Sequence, residues 1–241
     1  MLDRPAATQQ DHGERRRREP RLRDTDWMVL RAMRRAIDGV AERLVQPGME
    51  ALDLGCGAMP YAPLFEKRGA RYRGADLEDA ELIIGVDGHV PLPDASVDLL
   101  LSFQVLEHVR DLDAYLGEAR RLLRPNGRLI LSTHGTWLYH PHPEDHRRWT
   151  AEGLRHDIEV RGFEMLECTS LVGPLAWTTM VRLTCFATAL RGLPLIGRPL
   201  AGLVAWVMNL RAAIEDRITP QWVTRDNGCV YLTVSQPRGG A

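Results

Sequence analysis

Cysteine is scarce and scattered in this chain: only Cys56, Cys168, Cys185 and Cys229 occur. No Cys-x-x-Cys pair exists among them, which argues against a structural zinc site, and no metal is expected. Their spacing suggests no disulfide framework, so a reducing cytoplasm is the expected setting. An excess of one charge sign is missing too. Lys and Arg total 31 against 32 Asp and Glu, a formal net charge of −1. Such a chain projects no global field toward nucleic acid, and no nucleic-acid partner is expected. The N-terminal stretch lacks the apolar core of a secretory signal. No stretch reaches about 18 uncharged apolar residues, because Arg182, Arg191, Arg198 and Arg211 interrupt the most apolar region; no spanning helix is expected.

What is present fits one α/β domain with an insertion. The 241 residues are 44% hydrophobic and 26% charged, enough for a sizeable core. Residues 1–24 hold the run Arg15 to Arg18 without apolar periodicity and read as a mobile tail. Trp27, Leu30, Ile37, Val40 and Leu44 recur at helical spacing, with Asp26 placed to cap and Pro47-Gly48 to stop the helix. Short apolar runs at Met49 to Leu54, Tyr72 to Asp76, Leu82 to Val86, Val97 to Ser102, Arg128 to Thr133, Phe163 to Cys168 and Val230 to Val234 read as strands. Helical patterns alternate with most of them, notably Leu112, Tyr115, Leu116, Ala119, Leu122 and Leu123, and a helix capped by Thr150. That alternation predicts an α/β fold with a doubly wound, mostly parallel sheet, its late strands forming an antiparallel edge.

A carboxylate and a glycine turn follow the first strand, in Ala51-Leu-Asp-Leu-Gly-Cys-Gly57. Gly55 and Gly57 allow close approach of backbone to ligand. Asp53 can accept from a ligand ammonium, at the sheet edge where open α/β folds bind ligands. A dinucleotide fingerprint would want a third glycine where Pro60 stands, which weighs against an NAD-dependent oxidoreductase. Asp76 closes the next strand and is placed for the two ribose hydroxyls of an adenosine. Asp87 is placed for an adenine amino group and the Gly88 N–H for a ring nitrogen. Each acid alone could be a turn residue; three at successive strand ends point to a nucleoside ligand.

The strings DLGCG, GADLE, VDGHVPLPDASVDLLLSFQVLEHV and LLRPNGRLILST resemble the class I S-adenosylmethionine (SAM)-dependent methyltransferases, especially the broad group acting on small molecules, sugars or lipids. The likeness spans about residues 49 to 135. It implies a Rossmann-like seven-stranded sheet with the last strand antiparallel, and SAM as cofactor. It implies that Asp53, Gly55, Cys56 and Gly57 hold the methionine part, Asp76 and Leu77 the ribose, and Asp87 and Gly88 the adenine. Phe103 and Gln104 would line the cofactor, with Glu107 and His108 structural at its base. Many members carry a third glycine where this chain has Met59, so the run Met59-Pro60-Tyr61 makes Tyr61 a candidate wall of the methionine pocket.

The acceptor side falls on the segment after the fifth strand, from His134 to Thr150. It gathers four histidines, an acid and two aromatics. His134, His140 and His146 are candidate bases, with Asp145 as orienting partner, for an acceptor whose proton must be removed. The plainer alternative pairs Asp145 with Arg147 or Arg148 and makes Thr150 a cap. A metal site of His140, His142 and His146 is set aside, because a proline-rich loop orders three ligands poorly. The segment ends in a D-x-x-R-W-T string that resembles a loop of methyltransferases in glycan and natural-product pathways.

Residues 171–220 form the insertion, with helical parts at Leu175 to Arg191 and around Leu200, Leu203, Val204, Val207 and Ile214. A lid, a homodimer surface and a membrane-facing pair, which would give peripheral membrane contact, all remain open for it. The SAM-binding domain is expected over 25–170 and 221–236. The expected activity is O-methylation of a small molecule: a sugar, a lipid-linked sugar or a secondary metabolite. N-methylation and a non-catalytic SAM-binding protein are the alternatives.

Overall fold

A computed structural model describes residues 15–141 and 144–239. Seven strands form its sheet: β1 (Glu50–Leu54), β2 (Arg71–Asp76), β3 (Leu82–Ile83), β4 (Val97–Phe103), β5 (Leu123–His134), β6 (Phe163–Leu171) and β7 (Val230–Pro237). Their order is β3-β2-β1-β4-β5-β7-β6. All pairings are parallel except those of β7, which runs antiparallel to both β5 and β6. The chain reverses direction outward from β1, so the carboxyl ends of β1 and β4 flank the crevice where such sheets take ligands.

The strands are apolar on both faces because both are covered. Ala51, Leu99, Leu101 and Ile130 point into one core layer, under α1 (Trp27–Leu44) and α2 (Ala62–Glu66). Leu52, Leu100, Leu129 and Leu131 point into the other, under α3 (Leu112–Leu122) and α4 (Ala151–Glu159). Side chains alternate along each strand, so one sequence run feeds two cores. The α1 helix buries Trp27, Leu30, Met33, Ile37 and Val40, the face expected from spacing. Asp26 sits at its N-terminus without capping it; its carboxylate accepts from Arg16 Nε at 3.1 Å instead. Thr150 does cap α4, its hydroxyl accepting from the Gly153 N–H at 3.0 Å.

Three expectations change in detail. The third strand ends at Ile83 rather than Val86, because Gly85 to Gly88 close a turn, with the Gly88 N–H on the Gly85 carbonyl at 2.9 Å. The fifth begins at Leu123, which pairs with Val97 before the register shifts across Pro125-Asn126-Gly127. Within the expected tail, residues 15–24 are tied down. Arg15 pairs with Asp24 at 3.0 Å, and Asn209 Nδ2 donates to the carbonyls of Leu22 and Asp24 at 2.8 Å each. Ion pairs and a side-chain amide hold this stretch, which is why apolar periodicity gave no sign of it.

The insertion between β6 and β7 is a helical hairpin, α5 (Pro174–Arg191) and α6 (Gly197–Ile218), followed by the short α7 (Gln221–Asp226). The two long helices meet through Leu183, Ala187, Ala201 and Ala205. Three alanines in that seam let the backbones approach closely.

Candidate active site

The first turn after β1 is bound to the neighbouring strand. The N–H groups of Gly55 and Cys56 both donate to the Ala75 carbonyl, at 2.8 and 3.2 Å. Gly55 has φ +78°, and a Cβ there would lie 2.6 Å from Val105 Cγ2, so this glycine is required by the protein's own packing. Gly57, at φ +47°, faces open space. It is the glycine that leaves room for a ligand. Cys56 is buried with its sulfur against Gly74, and burial pushes its thiol up to about 12, so it acts as packing rather than as a nucleophile. Met59 stands where a third glycine is usual, and its φ of +49° shows that the backbone retains the left-handed shape. Gln104 at the end of β4 also lies at φ +60°. Strained non-glycine residues of this kind concentrate at functional sites.

Asp53 is only 2% exposed. Its Oδ2 accepts from the Tyr72 hydroxyl at 2.6 Å, while Oδ1 is buried with no hydrogen-bond partner among the described residues. Burial pushes its carboxyl up to about 7; nearby Asp76 adds to the rise, and Tyr72 and Arg17 oppose it. A buried acid with one unserved oxygen can receive a ligand's cationic N–H. Tyr72 was legible in sequence only as a strand residue. Arg17 is a second surprise: the arginine run lies over the glycine turn, where Arg18 donates to the Ala58 carbonyl at 3.3 Å.

Asp76 accepts from the Gly57 N–H through Oδ2 and from the Leu77 N–H through Oδ1, each at 2.8 Å. It therefore shapes the glycine turn as well as ending β2. Asp87 and Gly88 stand apart in the turn after β3, where Asp87 Oδ1 accepts from the His89 N–H at 3.1 Å. Gly88, at φ +81°, also opens onto free space. Leu77 is exposed beside Asp76. Tyr61 is buried and sets its ring edge-on to Phe103 at 5.0 Å, both within the core layer under α1 and α2. Gln104 Nε2 donates to Ser132 Oγ at 3.3 Å and so links the end of β4 to β5. The residues present fit a SAM-sized cation. Asp53, just before the turn, keeps one buried carboxylate oxygen unserved among the described residues, and Gly57 and Gly88 leave space where a Cβ would stand. Asp76→Ala is expected to weaken S-adenosylhomocysteine binding, at about 1.5–3 kcal/mol for each charge-assisted hydrogen bond lost. Calorimetry on the folded variant checks it, and an unchanged affinity would move the site elsewhere.

On the acceptor side the structure assembles a different pair from the one expected. His134, at the carboxyl end of β5, places Nδ1 3.0 Å from Glu107 Oε1. Both side chains are buried, and the contact is an ion-pair approach rather than an in-line hydrogen bond. Glu107 Oε2 also accepts from the Thr133 hydroxyl at 2.8 Å. Burial alone would raise the Glu107 carboxyl, but His134 and Thr133 draw it below its usual value, so it is an anion. The His134 ring stacks on Trp137, with centroids 4.8 Å apart and planes at 3°. Trp137 in turn stacks on Trp177 of α5 at 5.0 Å. His140 stands edge-on to His134 at 6.0 Å.

Asp145 and His146 take other partners. Asp145 is gripped by both terminal nitrogens of Arg148, at 2.5 and 2.7 Å, and accepts from the His140 N–H at 2.7 Å. Arg148 holds its carboxyl well below the usual range. The guanidinium fork matches a carboxylate with two donors where an imidazole offers one. The His146 ring lies 3.0 Å from Glu144, and its backbone N–H donates to the Glu107 carbonyl at 2.9 Å. Thus the Asp145 carboxylate reaches the backbone of His140, and the His146 ring lies against Glu144 instead. His142 lies outside the described residues. The one sequence signal for Glu107 was an acid inside the apolar run Val105-Leu106-Glu107-His108-Val109.

Residues 52–131 match the family model described as a methyltransferase domain. A protein of Mycolicibacterium smegmatis described as a probable S-adenosylmethionine-dependent methyltransferase is 32% identical over 136 residues, 49% of this chain and 53% of that protein. A malonyl-[acyl-carrier protein] O-methyltransferase of Serratia marcescens is 34% identical over 111 residues, 39% of this chain and 44% of that protein. The chain thus spans about half the length of these curated relatives. Among solved structures, the 1,6-didemethyltoxoflavin-N1-methyltransferase of Burkholderia thailandensis superposes with a TM-score of 0.55 at 15% identity, over 98% of this chain and 93% of that one. That likeness is one of fold. The two relatives named as methylating a stated atom differ in that atom, oxygen in one and nitrogen in the other.

Proposed function

Because the chain carries a class I SAM-dependent methyltransferase domain, we propose that it methylates a hydroxyl oxygen of a small molecule, such as a sugar, a lipid-linked sugar or another secondary metabolite, with His134 as the base. The observation that carries this reading is the buried Glu107–His134 pair at the end of β5. An amine acceptor brings its own lone pair and needs no base; a hydroxyl of high pKa does. Ser132 is the register partner of Phe103, so His134 lies two residues further along the edge that carries the cofactor-lining residues.

The bound cofactor supplies an activated, positively charged methyl group. The chain's own residues do the rest. Asp53 Oδ1 takes the ammonium, Asp76 the ribose hydroxyls, and Asp87 with the Gly88 N–H the adenine edge. Tyr61, Phe103 and Gln104 wall the methionine end. The Glu107 carboxylate, its Oε1 3.0 Å from His134 Nδ1, favours the tautomer that carries its proton on Nδ1 and leaves Nε2 as the proton acceptor. His134 Nε2 takes the acceptor's hydroxyl proton as oxygen attacks, and returns it to solvent after product leaves. Trp137 and Trp177 cover the imidazole and exclude water; alignment of this kind contributes about 7–11 kcal/mol to such reactions.

The test is a mass-spectrometric screen of hydroxyl and amine acceptors with SAM for the gain of one CH2, with the methylated atom located by NMR. Oxygen-methylated product is expected. Methylation confined to amines would overturn the assignment of His134 as base.

A further inference from the structure

The α5–α6 hairpin has a chemistry unlike the rest of the chain. From Pro174 to Ile214 there is no Asp or Glu, and the four charged residues, Arg182, Arg191, Arg198 and Arg211, are all arginines. The chain as a whole is near neutral, so positive charge is concentrated here. The small-residue seam uses up only one side of each helix. On α6, Leu203, Val207, Leu210 and Ile214 remain exposed at helical spacing, beside exposed Trp206. At the tip, Leu195 is 99% exposed and Ile196 61%. Leu195 is held at φ +62°, a conformation that costs a branched apolar residue energy, yet it projects outward.

Charge sits beside that apolar tip. Arg191 ends α5 and Arg198 opens α6; together with Arg23 and Trp206 they line an open pocket of about 640 Å³. No acidic partner is recorded for these three arginines among the described residues, whereas Arg211 is paired with Glu215 at 2.7 Å. The tip stands away from the active site. Trp177, which stacks over His134 through Trp137, is in the first turn of α5, and the tip lies roughly 20 Å further along that helix.

We propose that the hairpin docks this chain on an anionic phospholipid surface, with Leu195 and Ile196 entering the acyl boundary and Arg23, Arg191 and Arg198 gathering lipid phosphates. This goes beyond the methyl-transfer reading and does not depend on which acceptor is used. Among the described residues no helix is long and apolar enough to cross a membrane, and on this proposal the hairpin rests in the interface. Trp206 beside the arginine pocket has the amphipathic ring favoured at that depth. A second copy of the chain is the poorer occupant: a two-fold contact at the tip would set unpaired arginines against their own symmetry mates, with no acid between Pro174 and Ile214 to answer them.

The experiment is co-sedimentation of the full chain with vesicles of phosphatidylcholine alone, and of phosphatidylcholine with about a third phosphatidylglycerol. Binding to the anionic vesicles only, weakening with salt, is expected. The double variant Arg191→Glu/Arg198→Glu should lose at least about tenfold in partitioning, since each basic residue near such a surface is worth roughly fivefold. Leu195→Ser/Ile196→Ser, at exposed positions, should lose binding as well. Both variants should keep wild-type affinity for S-adenosylhomocysteine, which separates this result from any failure of the methyltransferase reading. No binding to anionic vesicles, or binding that both variants retain, overturns the proposal. So does a dimer in light scattering that Leu195→Ser/Ile196→Ser abolishes while vesicle binding is absent.

Discussion

Replacing His134 with alanine is expected to lower turnover on a hydroxyl acceptor by about 10²–10⁴-fold, the usual cost of losing a general base. Affinity for S-adenosylhomocysteine should stay within a few fold, because the proposed cofactor residues lie at or just after the ends of β1, β2, β3 and β4 rather than on β5. The histidine is buried against Trp137, so alanine also leaves a cavity. Glu107→Gln supplies the independent check. It keeps the shape and leaves the imidazole in place, but removes the negative charge beside Nδ1. Loss of that charge should reduce kcat far more than it changes KM. A purely structural Glu107 would leave kcat and KM on the folded variant unchanged. Rates should be compared well above the carboxylate range: Glu107 has a lowered folded value, so the stability it contributes is complete above its unfolded pKa of about 4.3 and is lost as pH falls through the folded one. If His134→Ala and Glu107→Gln both turn over normally on the true acceptor, base catalysis from this pair is wrong.

Asp53→Asn is expected to do opposite things to binding and to stability. Asparagine cannot answer the cofactor's ammonium with a charge, so S-adenosylhomocysteine should bind about 10- to 150-fold more weakly, the range for a lost hydrogen bond to a charged group. The ligand-free protein should become more stable at pH 8. The Asp53 carboxyl is raised to about 7 in the fold, against about 3.9 unfolded. Its favourable contribution is therefore present below about pH 4 and is lost as pH rises through 7. The Tm advantage of Asp53→Asn should be large at pH 8 and vanish toward pH 4. Wild-type affinity for S-adenosylhomocysteine should rise between pH 6 and 8 as the carboxyl ionises. Equal affinities for wild type and variant at pH 8 would show that Asp53 does not meet the ammonium.

The features that the sequence made legible are those written within a few residues. The alternation of strand and helix gave the α/β sheet, and the string from Asp53 to Gly57 placed an acid and two glycines at one strand end. Thr150 and Gly153 declared a cap because both partners lie in one turn. What escaped was decided between distant segments. Tyr72 reaches Asp53 only once β2 lies beside β1, and Glu107 reaches His134 only once β4 lies beside β5. Asp145 had a histidine on one side and two arginines on the other, and the guanidinium of Arg148 prevailed. Arg17 and Arg18 have no apolar pattern, and only the fold lays them over the glycine turn.

The stack of His134, Trp137 and Trp177 fixes the helical phase of the insertion. Trp177 belongs to the first turn of α5, so every later residue of that helix points in a direction counted from the imidazole. One residue inserted between Trp177 and Arg191 would turn the tip by about 100° and advance it by about 1.5 Å. Arg191, Leu195, Ile196 and Arg198 lie beyond that point and would turn together relative to the imidazole. On the proposed docking, the length of α5 is thereby a setting that orients the sheet above the surface the tip touches.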